Sequence, residues 1–442
     1  MRRISRRDFI KWMGGLGIFA LGGRAFLSYA HRKPTPSMTE LMAQGVELTE
    51  GEDYVKLEGG GVQCLGCLNR CVIPEGGRGI CGKRENRGGK LYSNERKEMS
   101  LKEAMFYRRL KDEYVQCELC PRLCVIPDGG RSFCRNKENR RGKLYTLVYG
   151  KPCTVNITRP ENAPLYHFVP GHERLALATV GCNFRCKYCQ NWQISQARIE
   201  ESGCYDLSPE DVVELAQREE AKSISFTYTE PIAFYEYVYA ISKLARERGF
   251  MSSIVSNGFI NPEPLREVLK VMDAVKIDLK GFTDEFYRNV SSAELKPVLN
   301  SLNIVKEEGV YLEIVNLLVP TFNDDPGVIK KMCKWIKENL GDNIPLHFTR
   351  FFPNYKLNHL PSTPVQTLEM ASGIAQEVGL KYVYIGNVPG HDANNTYCPK
   401  CGKLLVRRIH FAVMENNVVN SRCKFCGCKI PGIWEHPISA KK

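Results

Sequence analysis

Three cysteines in the run Cys182-Asn-Phe-Arg-Cys186-Lys-Tyr-Cys189 offer one thiolate fewer than a cubane iron–sulfur cluster has irons. Four thiolates close such a cluster and make it an electron store, whereas three leave one iron free to take a ligand from a substrate or cofactor. The other clustered cysteines come in fours. Cys64, Cys67, Cys71 and Cys81 recur as Cys117, Cys120, Cys124 and Cys134, each displaced by 53 positions, and CVIPEGGRGICGKRENRGGKLYS from Cys71 returns as CVIPDGGRSFCRNKENRRGKLYT from Cys124. That self-similarity marks a duplicated small domain whose spacing, C-x2-C-x3-C-x9-C, supplies four ligands per copy. Four thiolates suit a closed iron–sulfur cluster, a tetrahedral zinc or, in an exported domain, disulfides. Near the other end, Cys398-Pro-Lys-Cys401 and Cys423-Lys-Phe-Cys426 form two CxxC knuckles separated by 21 residues. This is the pattern of a structural zinc ribbon, with a rubredoxin-like iron as the alternative. Cys153, Cys204, Cys333 and Cys428 belong to no motif and read as ordinary packing.

The elements that must position the triple are legible from about Leu175 onward, where apolar strands alternate with amphipathic helices as in a parallel α/β sheet. Strands are predicted at 175–180, 223–228, 252–256, 274–279, 311–319, 345–351 and 381–385. Helices are predicted at 209–219, 232–248, 264–271, 297–308, 327–339 and 367–377. Six strand–helix repeats and a last strand amount to a partial, TIM-like (β/α)6 barrel, and the triple-cysteine loop follows its first strand at the C-terminal mouth, where such folds keep their chemistry. Other polar residues fall at the ends of the next strands: Thr227-Tyr228-Thr229-Glu230-Pro231, Ser256-Asn257-Gly258, and Lys276-Ile277-Asp278-Leu279-Lys280. Alternation puts Lys276, Asp278 and Lys280 on one face, the barrel interior, where a plain internal salt bridge competes with a functional role. For Glu230 the competing reading is a surface carboxylate at a helix start, favoured by the helix dipole.

The triple, with an aromatic residue before its last cysteine, resembles the signature of radical S-adenosylmethionine (SAM) enzymes. The resemblance implies a [4Fe–4S] cluster on Cys182, Cys186 and Cys189, whose open iron holds the amino and carboxylate groups of SAM. Reduced, it would cleave the sulfonium and release a 5′-deoxyadenosyl radical. Thr229 and Glu230 would stand where a Gly-Gly-Glu-like turn meets the SAM amino group, the glycines being replaced here. Ser256 and Asn257 would bond the ribose or carboxylate. Asp278 and Lys280 are similar to the pair that helps position SAM and substrate in the activating enzymes of pyruvate formate-lyase. Tyr188 would pack near the adenine, with Tyr384-Ile385-Gly386-Asn387 along its other edge. Together with Leu165-Tyr-His-Phe-Val-Pro-Gly171, Gln190-Asn191-Trp192 and Arg350-Phe-Phe-Pro353, the order of motifs resembles the AmmeMemoRadiSam-system radical SAM enzymes, relatives of those activating enzymes, over about Cys117 to Trp434. The first cysteine copy and the basic leader depart from that family's layout. The implied cofactors are the cluster, SAM, structural zinc and auxiliary iron–sulfur clusters or zinc. The implied partners are a ferredoxin- or flavodoxin-like donor and a hydrogen-donating substrate that the sequence does not identify, for which the resemblance suggests a protein glycine or side chain.

The chain has 442 residues, of which 43% are hydrophobic; that is enough for two or three domains and excludes wholesale disorder. Its parts read as a twin-arginine-like signal or anchor (1–30), a linker (31–56), the duplicated four-cysteine domain (57–150, repeats about 64–93 and 117–146), the barrel (151–392) and a zinc-ribbon-like module (393–442). Ser5-Arg6-Arg7-Asp8-Phe9 and a short apolar run suit export or a membrane tether, whereas SAM chemistry favours the cytoplasmic side. The formal charge of +13 includes +5 within the leader, so nucleic acid is not the expected partner, and Arg407, Arg408 and His410 in the ribbon read as solvated. No GxSxG, HExxH or P-loop pattern supports a hydrolase. Two rivals to a SAM-cleaving, activating-enzyme-like function are a membrane-associated multi-cluster electron carrier, favoured by the eight upstream cysteines, and an RNA-modifying radical SAM enzyme, favoured by charge and ribbon.

Overall fold

The computed structural model describes residues 48–50, 54–65, 70–79, 84–94 and 101–436. The leader, Cys67 and Cys81 lie outside the described residues. Strands β1 (Leu48–Glu50), β2 (Tyr54–Lys56), β3 (Val62–Cys64), β4 (Val72–Ile73), β5 (Arg84–Arg87) and β6 (Lys90–Asn94) return as β7 (Lys102–Glu103), β8 (Tyr107–Arg109), β9 (Val115–Cys117), β10 (Val125–Ile126), β11 (Lys137–Arg140) and β12 (Lys143–Thr146). Strands β1 and β2 fall inside the segment expected to be a linker, because the pairing, unlike the cysteine text, begins at Leu48. The copies agree down to single bonds. Asn86 Nδ2 donates to Gly60 O (2.8 Å) and Ile73 O (2.9 Å), and Asn139 Nδ2 to Glu113 O (2.7 Å) and Ile126 O (2.8 Å).

Their surroundings differ. Val62, Cys64, Ile73 and Leu91 of the first copy form a small core of their own, whereas Val115, Cys117, Leu119, Ile126 and Leu144 of the second belong to the main core. The second copy is also tied down by charge: Lys137, fully buried, pairs with Glu236, 1% exposed, which accepts from Met105 N at 2.8 Å as well. Removing one partner of a buried pair strands the other, a cost of about 3–5 kcal/mol. Glu236→Ala is therefore expected to lower the unfolding free energy from denaturant titration by that much while Glu236→Gln loses less; equal, negligible losses would show that the pair does not anchor this copy.

The central sheet has eight strands: β13 (Thr154–Thr158), β14 (Arg174–Ala178), β15 (Ser223–Phe226), β16 (Met251–Ser256), β17 (Ala274–Asp278), β18 (Tyr311–Leu318), β19 (Leu346–Arg350) and β20 (Val383–Gly386), adjacent in that order. Strands β14 to β20 run parallel, and β13 pairs antiparallel at the edge. The sequence reading did not anticipate β13, a short strand with only Val155 buried, but it matches the parallel strands to within a few residues. Strand β14 is buried along its whole length, as expected of a parallel strand covered on both faces. The covering helices are α1 (Pro209–Arg218), α2 (Tyr235–Glu247), α3 (Pro262–Leu269), α4 (Leu295–Glu307), α5 (Pro326–Leu340) and α6 (Val365–Val378). Helix α1 starts where Ser208 and Asp211 cap each other across Pro209. The single helix predicted over 232–248 is instead a 3-10 turn, Pro231–Phe234, followed by α2, because Glu230 caps the turn by accepting from Ile232 N at 3.2 Å.

Beyond β20 come the ribbon strands β21 (Thr396–Tyr397), β22 (Leu404–Ile409) and β23 (Ala412–Asn416). The ribbon docks through Tyr166-His167-Phe168-Val169, with Ile433 N donating to His167 O (2.8 Å) and Val169 N to Ile433 O (2.5 Å). Beneath this bridge lies a buried polar network at the N-terminal halves of β18 to β20. Glu313 accepts from Tyr166 N (3.0 Å), His167 N (2.8 Å) and His347 Nε2 (2.6 Å), and the Tyr384 hydroxyl bonds His167 Nε2 (2.6 Å). Burial holds His167 down to about 4, hence neutral. Arg408 is not solvated as expected: it lies 4.1 Å over the Tyr166 ring and is 5% exposed, because the ribbon folds its β22 face onto the sheet. Among the described residues, no helix is long and apolar enough to cross a membrane.

Candidate active site

Strand β14 delivers the chain to Gly181, whose φ of +90° turns it into the triple-cysteine loop. An added β-carbon there would meet Cys134 O at 2.5 Å and Asn136 Oδ1 at 2.6 Å, so only glycine lets the loop lie against the second cysteine copy. The far side of the loop is pinned by the π-helical turn Tyr287–Ser291: Arg185 N donates to Ser291 O (3.0 Å) and Lys187 N to Val290 O (2.9 Å). Cys182 Sγ accepts from Phe184 N at 3.3 Å, with Asn257 Nδ2 at 3.9 Å, and Cys189 Sγ lies 3.2 Å from Ser195 Oγ. All three thiols are free and line one cavity of about 460 Å³. Burial, then the nearby Glu230 carboxylate, pushes the Cys182 thiol well up, and burial pushes Cys186 up to about 11. Such sulfurs become thiolates only against concentrated positive charge, which bound iron provides. The donor set thus fits a cluster.

Across the cavity, Glu230 accepts from Ser256 Oγ (2.7 Å) and from Asn257 N (2.8 Å), so the ends of β15 and β16 converge on one carboxylate. It is 2% exposed, not a surface residue, although it does begin a helical turn. Burial raises its pKa to about 7 despite these two donors and Ile232 N, leaving it poised between charge states at neutral pH. Asp278 pairs with Lys276 and, at 3.1 Å, with Lys280. Burial alone would raise its pKa, but the two ammonium groups hold it at about 2. Lys280 Nζ stands 6.0 Å from the Tyr188 ring centre, and the buried Tyr188 hydroxyl has no hydrogen-bond partner. A cavity of this size with a few convergent polar groups is what a small-molecule cofactor needs.

Tyr188, Thr229, Glu230, Ser256, Asn257, Asp278 and Lys280 all line the cavity with the three cysteines. Gly386 does not meet the expectation: it stands behind Thr349, whose Cγ2 would lie 2.7 Å from a β-carbon there, and Thr349 and Asn387 reach the cavity instead. Tyr384 likewise points away, into the His167 network. Sequence reasoning passed over Arg174, a buried residue whose Nη1 donates to Ser225 Oγ at 3.0 Å and whose Nε has no partner. The signal was present: a charge opening an otherwise apolar strand, two positions before Ala176, whose partners across β15 and β16 are the serines Ser225 and Ser253.

Cys117, Cys120, Cys124 and Cys134 of the second copy and the four ribbon cysteines are also free of disulfides. In the ribbon, Cys398, Cys401, Cys423 and Cys426 place their sulfurs within 4.8 Å of one another, the span of ligands around a single ion.

Residues 177–332, from β14 into α5, match the model of the radical SAM superfamily. The chain belongs to that superfamily. An uncharacterized protein of Methanocaldococcus jannaschii is 47% identical over 332 residues, covering 75% of this chain and 99% of that one. The pyruvate formate-lyase-activating enzyme of Clostridium pasteurianum is 26% identical over 166 residues, 36% of this chain and 66% of that enzyme. A solved domain of the pyruvate-formate lyase-activating enzyme from Bacteroides vulgatus superposes on 38% of this chain and all of that domain, with a TM-score of 0.34 and 18% identity. As a radical SAM protein the chain is an enzyme, and its triple-cysteine loop, at the mouth of a parallel sheet, lies within the matched segment.

Proposed function

We propose that Cys182, Cys186 and Cys189 hold the open [4Fe–4S] cluster and that Glu230, Ser256, Asn257 and Asp278 orient SAM against it, in an activating-enzyme-like protein of the AmmeMemoRadiSam type whose substrate is another protein. The observation that carries this reading is the convergence of three free thiols and two carboxylates of opposite tuning on one cavity. When bound, the cluster and SAM together supply a 5′-deoxyadenosyl radical. The chain's own work is to bind, orient and keep water out. Glu230 faces the cavity as an acceptor for an ammonium, Asp278 keeps Lys276 and Lys280 fixed, and Tyr188 offers an apolar face. Relatives named as pyruvate formate-lyase-activating enzyme and putative glycyl-radical enzyme activating enzyme support a protein substrate.

An ammonium favours the ionised form of Glu230, so SAM affinity is expected to weaken as pH falls through about 7. Losing one charged hydrogen bond costs about 1.5–3 kcal/mol, so Glu230→Gln is expected to raise the SAM Kd roughly 10- to 100-fold and to flatten its dependence on pH between 6 and 8. A variant that keeps the wild-type slope would remove Glu230 from SAM binding. The protein-substrate reading is tested with a deuterated cell extract divided into macromolecular and small-molecule fractions. Deuterium should enter 5′-deoxyadenosine from the macromolecular fraction; label arriving only from small molecules would refute it.

For the ribbon we propose structural zinc. Cys401→Ser is expected to lose about one zinc per chain, by elemental analysis, with the iron content unchanged; an unchanged zinc content contradicts this.

A further inference from the structure

The second cysteine copy is built into the wall of the active site. Cys117, Cys120, Cys124 and Cys134 together line a separate small cavity, shared with Arg122 and with Asn183, the residue after Cys182. Arg122 Nε donates to Asn183 O at 2.8 Å. The guanidinium groups of Arg122 and Arg185 lie 3.7 Å and 4.1 Å from the centre of the Phe133 ring, between the two cysteine sets. Gly181 against Cys134 O completes the common wall.

Sulfur spacing distinguishes what each set can hold. Around one zinc at about 2.3 Å per bond, four thiolates are drawn into mutual contact. The ribbon has that arrangement, with Cys398 Sγ 3.5 Å from Cys426 Sγ and Cys401 Sγ 3.8 Å from Cys423 Sγ. Among the described residues the ribbon quartet is the only group of ligand atoms gathered within 4.8 Å. The four cysteines of the second copy line one cavity, as the active-site triple lines another, and neither set has its sulfurs gathered within 4.8 Å of one another. A four-iron cubane gives each thiolate its own corner and so needs the wider span. The sulfurs are also supplied with donors suited to a cluster: Phe133 N lies 3.5 Å from Cys124 Sγ and Ser132 Oγ 3.1 Å from Cys134 Sγ, with Arg122 as nearby positive charge.

We propose that Cys117, Cys120, Cys124 and Cys134 bind a closed, auxiliary [4Fe–4S] cluster beside the active-site triple, and not a zinc ion. The proposal does not depend on SAM cleavage, because its test begins from a chain without the open cluster. Iron, sulfide and zinc are counted in anaerobically purified full-length protein carrying Cys182→Ala, Cys186→Ala and Cys189→Ala, and again after adding Cys120→Ser and Cys124→Ser. The second pair is expected to remove about four irons and four sulfides per chain and to leave zinc unchanged. Loss of about one zinc with no iron would overturn the proposal in favour of a zinc staple, and no change in any count would overturn it altogether. Should the five-fold variant be insoluble, Cys64→Ser and Cys71→Ser in the triple background disable the first copy instead. The Mössbauer spectrum of that protein should still show a cubane, and a protein free of iron refutes the site.

Discussion

Cys186→Ala protein, purified anaerobically and reduced with SAM present, is expected to form 5′-deoxyadenosine at no more than roughly a thousandth of the wild-type rate, because groups that act as one unit fail together when one is removed. Cys186 sits in the middle of the loop, 7% exposed, among Tyr188, Tyr287 and the π-helical turn. No thiol is left in the described cavity to replace it, since the other two that line it, Cys182 and Cys189, are the other two proposed ligands. Iron should fall by about four atoms per chain relative to wild type. Ser195→Ala, which removes only the 3.2 Å neighbour of Cys189 Sγ, should keep its iron and lose far less rate. Equal activity in Cys186→Ala and wild type would mean that SAM cleavage, if any, occurs elsewhere.

Gly181→Ala is expected to be the most damaging substitution outside the cysteines. Two penalties coincide at this position. The φ of +90° strains any L side chain, and the new methyl carbon would sit 2.5 Å from a backbone oxygen and 2.6–2.7 Å from the Asn136 amide. Asn136 cannot swing aside freely, because its Nδ2 donates to Val180 O at 2.6 Å and it is fully buried. A loss of about 4 kcal/mol or more is the expected scale, visible as a lower unfolding midpoint in denaturant and as a fall in iron content. Gly373→Ala is the control: it lies within α6 with nothing within 4 Å of a β-carbon and should melt no lower than wild type. Wild-type stability in Gly181→Ala would show that the cysteine loop and the second copy do not share a wall.

The strand and helix order was legible because parallel strands are apolar runs and the helices show one wet face, so period alone locates β14 to β20. The three proposed ligands stand out by their spacing. Which residues face them depends on register, and register is a property of pairs of strands. Glu230 reaches Ser256, 26 positions away, only because Phe226 of β15 aligns with Ile254 of β16. Spacing likewise says nothing of how far sulfurs stand apart, so the ribbon and the second copy read alike as four-cysteine sites although their geometry differs. Arg408 and Tyr384 were misjudged for a related reason: their partners, Tyr166 and His167, lie more than two hundred positions away and belong to the docking of ribbon on sheet. Strand β13 was missed because an edge strand with a single buried side chain carries little periodic signal.

An open iron that takes SAM is the centre of the proposed chemistry. The most direct measurement is the EPR spectrum of the anaerobically reduced protein with and without SAM, read alongside 5′-deoxyadenosine by mass spectrometry. One cluster signal should shift on adding SAM, the shift should vanish in Cys186→Ala, and 5′-deoxyadenosine should accumulate only in the wild type. A fully iron-loaded, reducible protein whose signals ignore SAM and which forms no 5′-deoxyadenosine would contradict it.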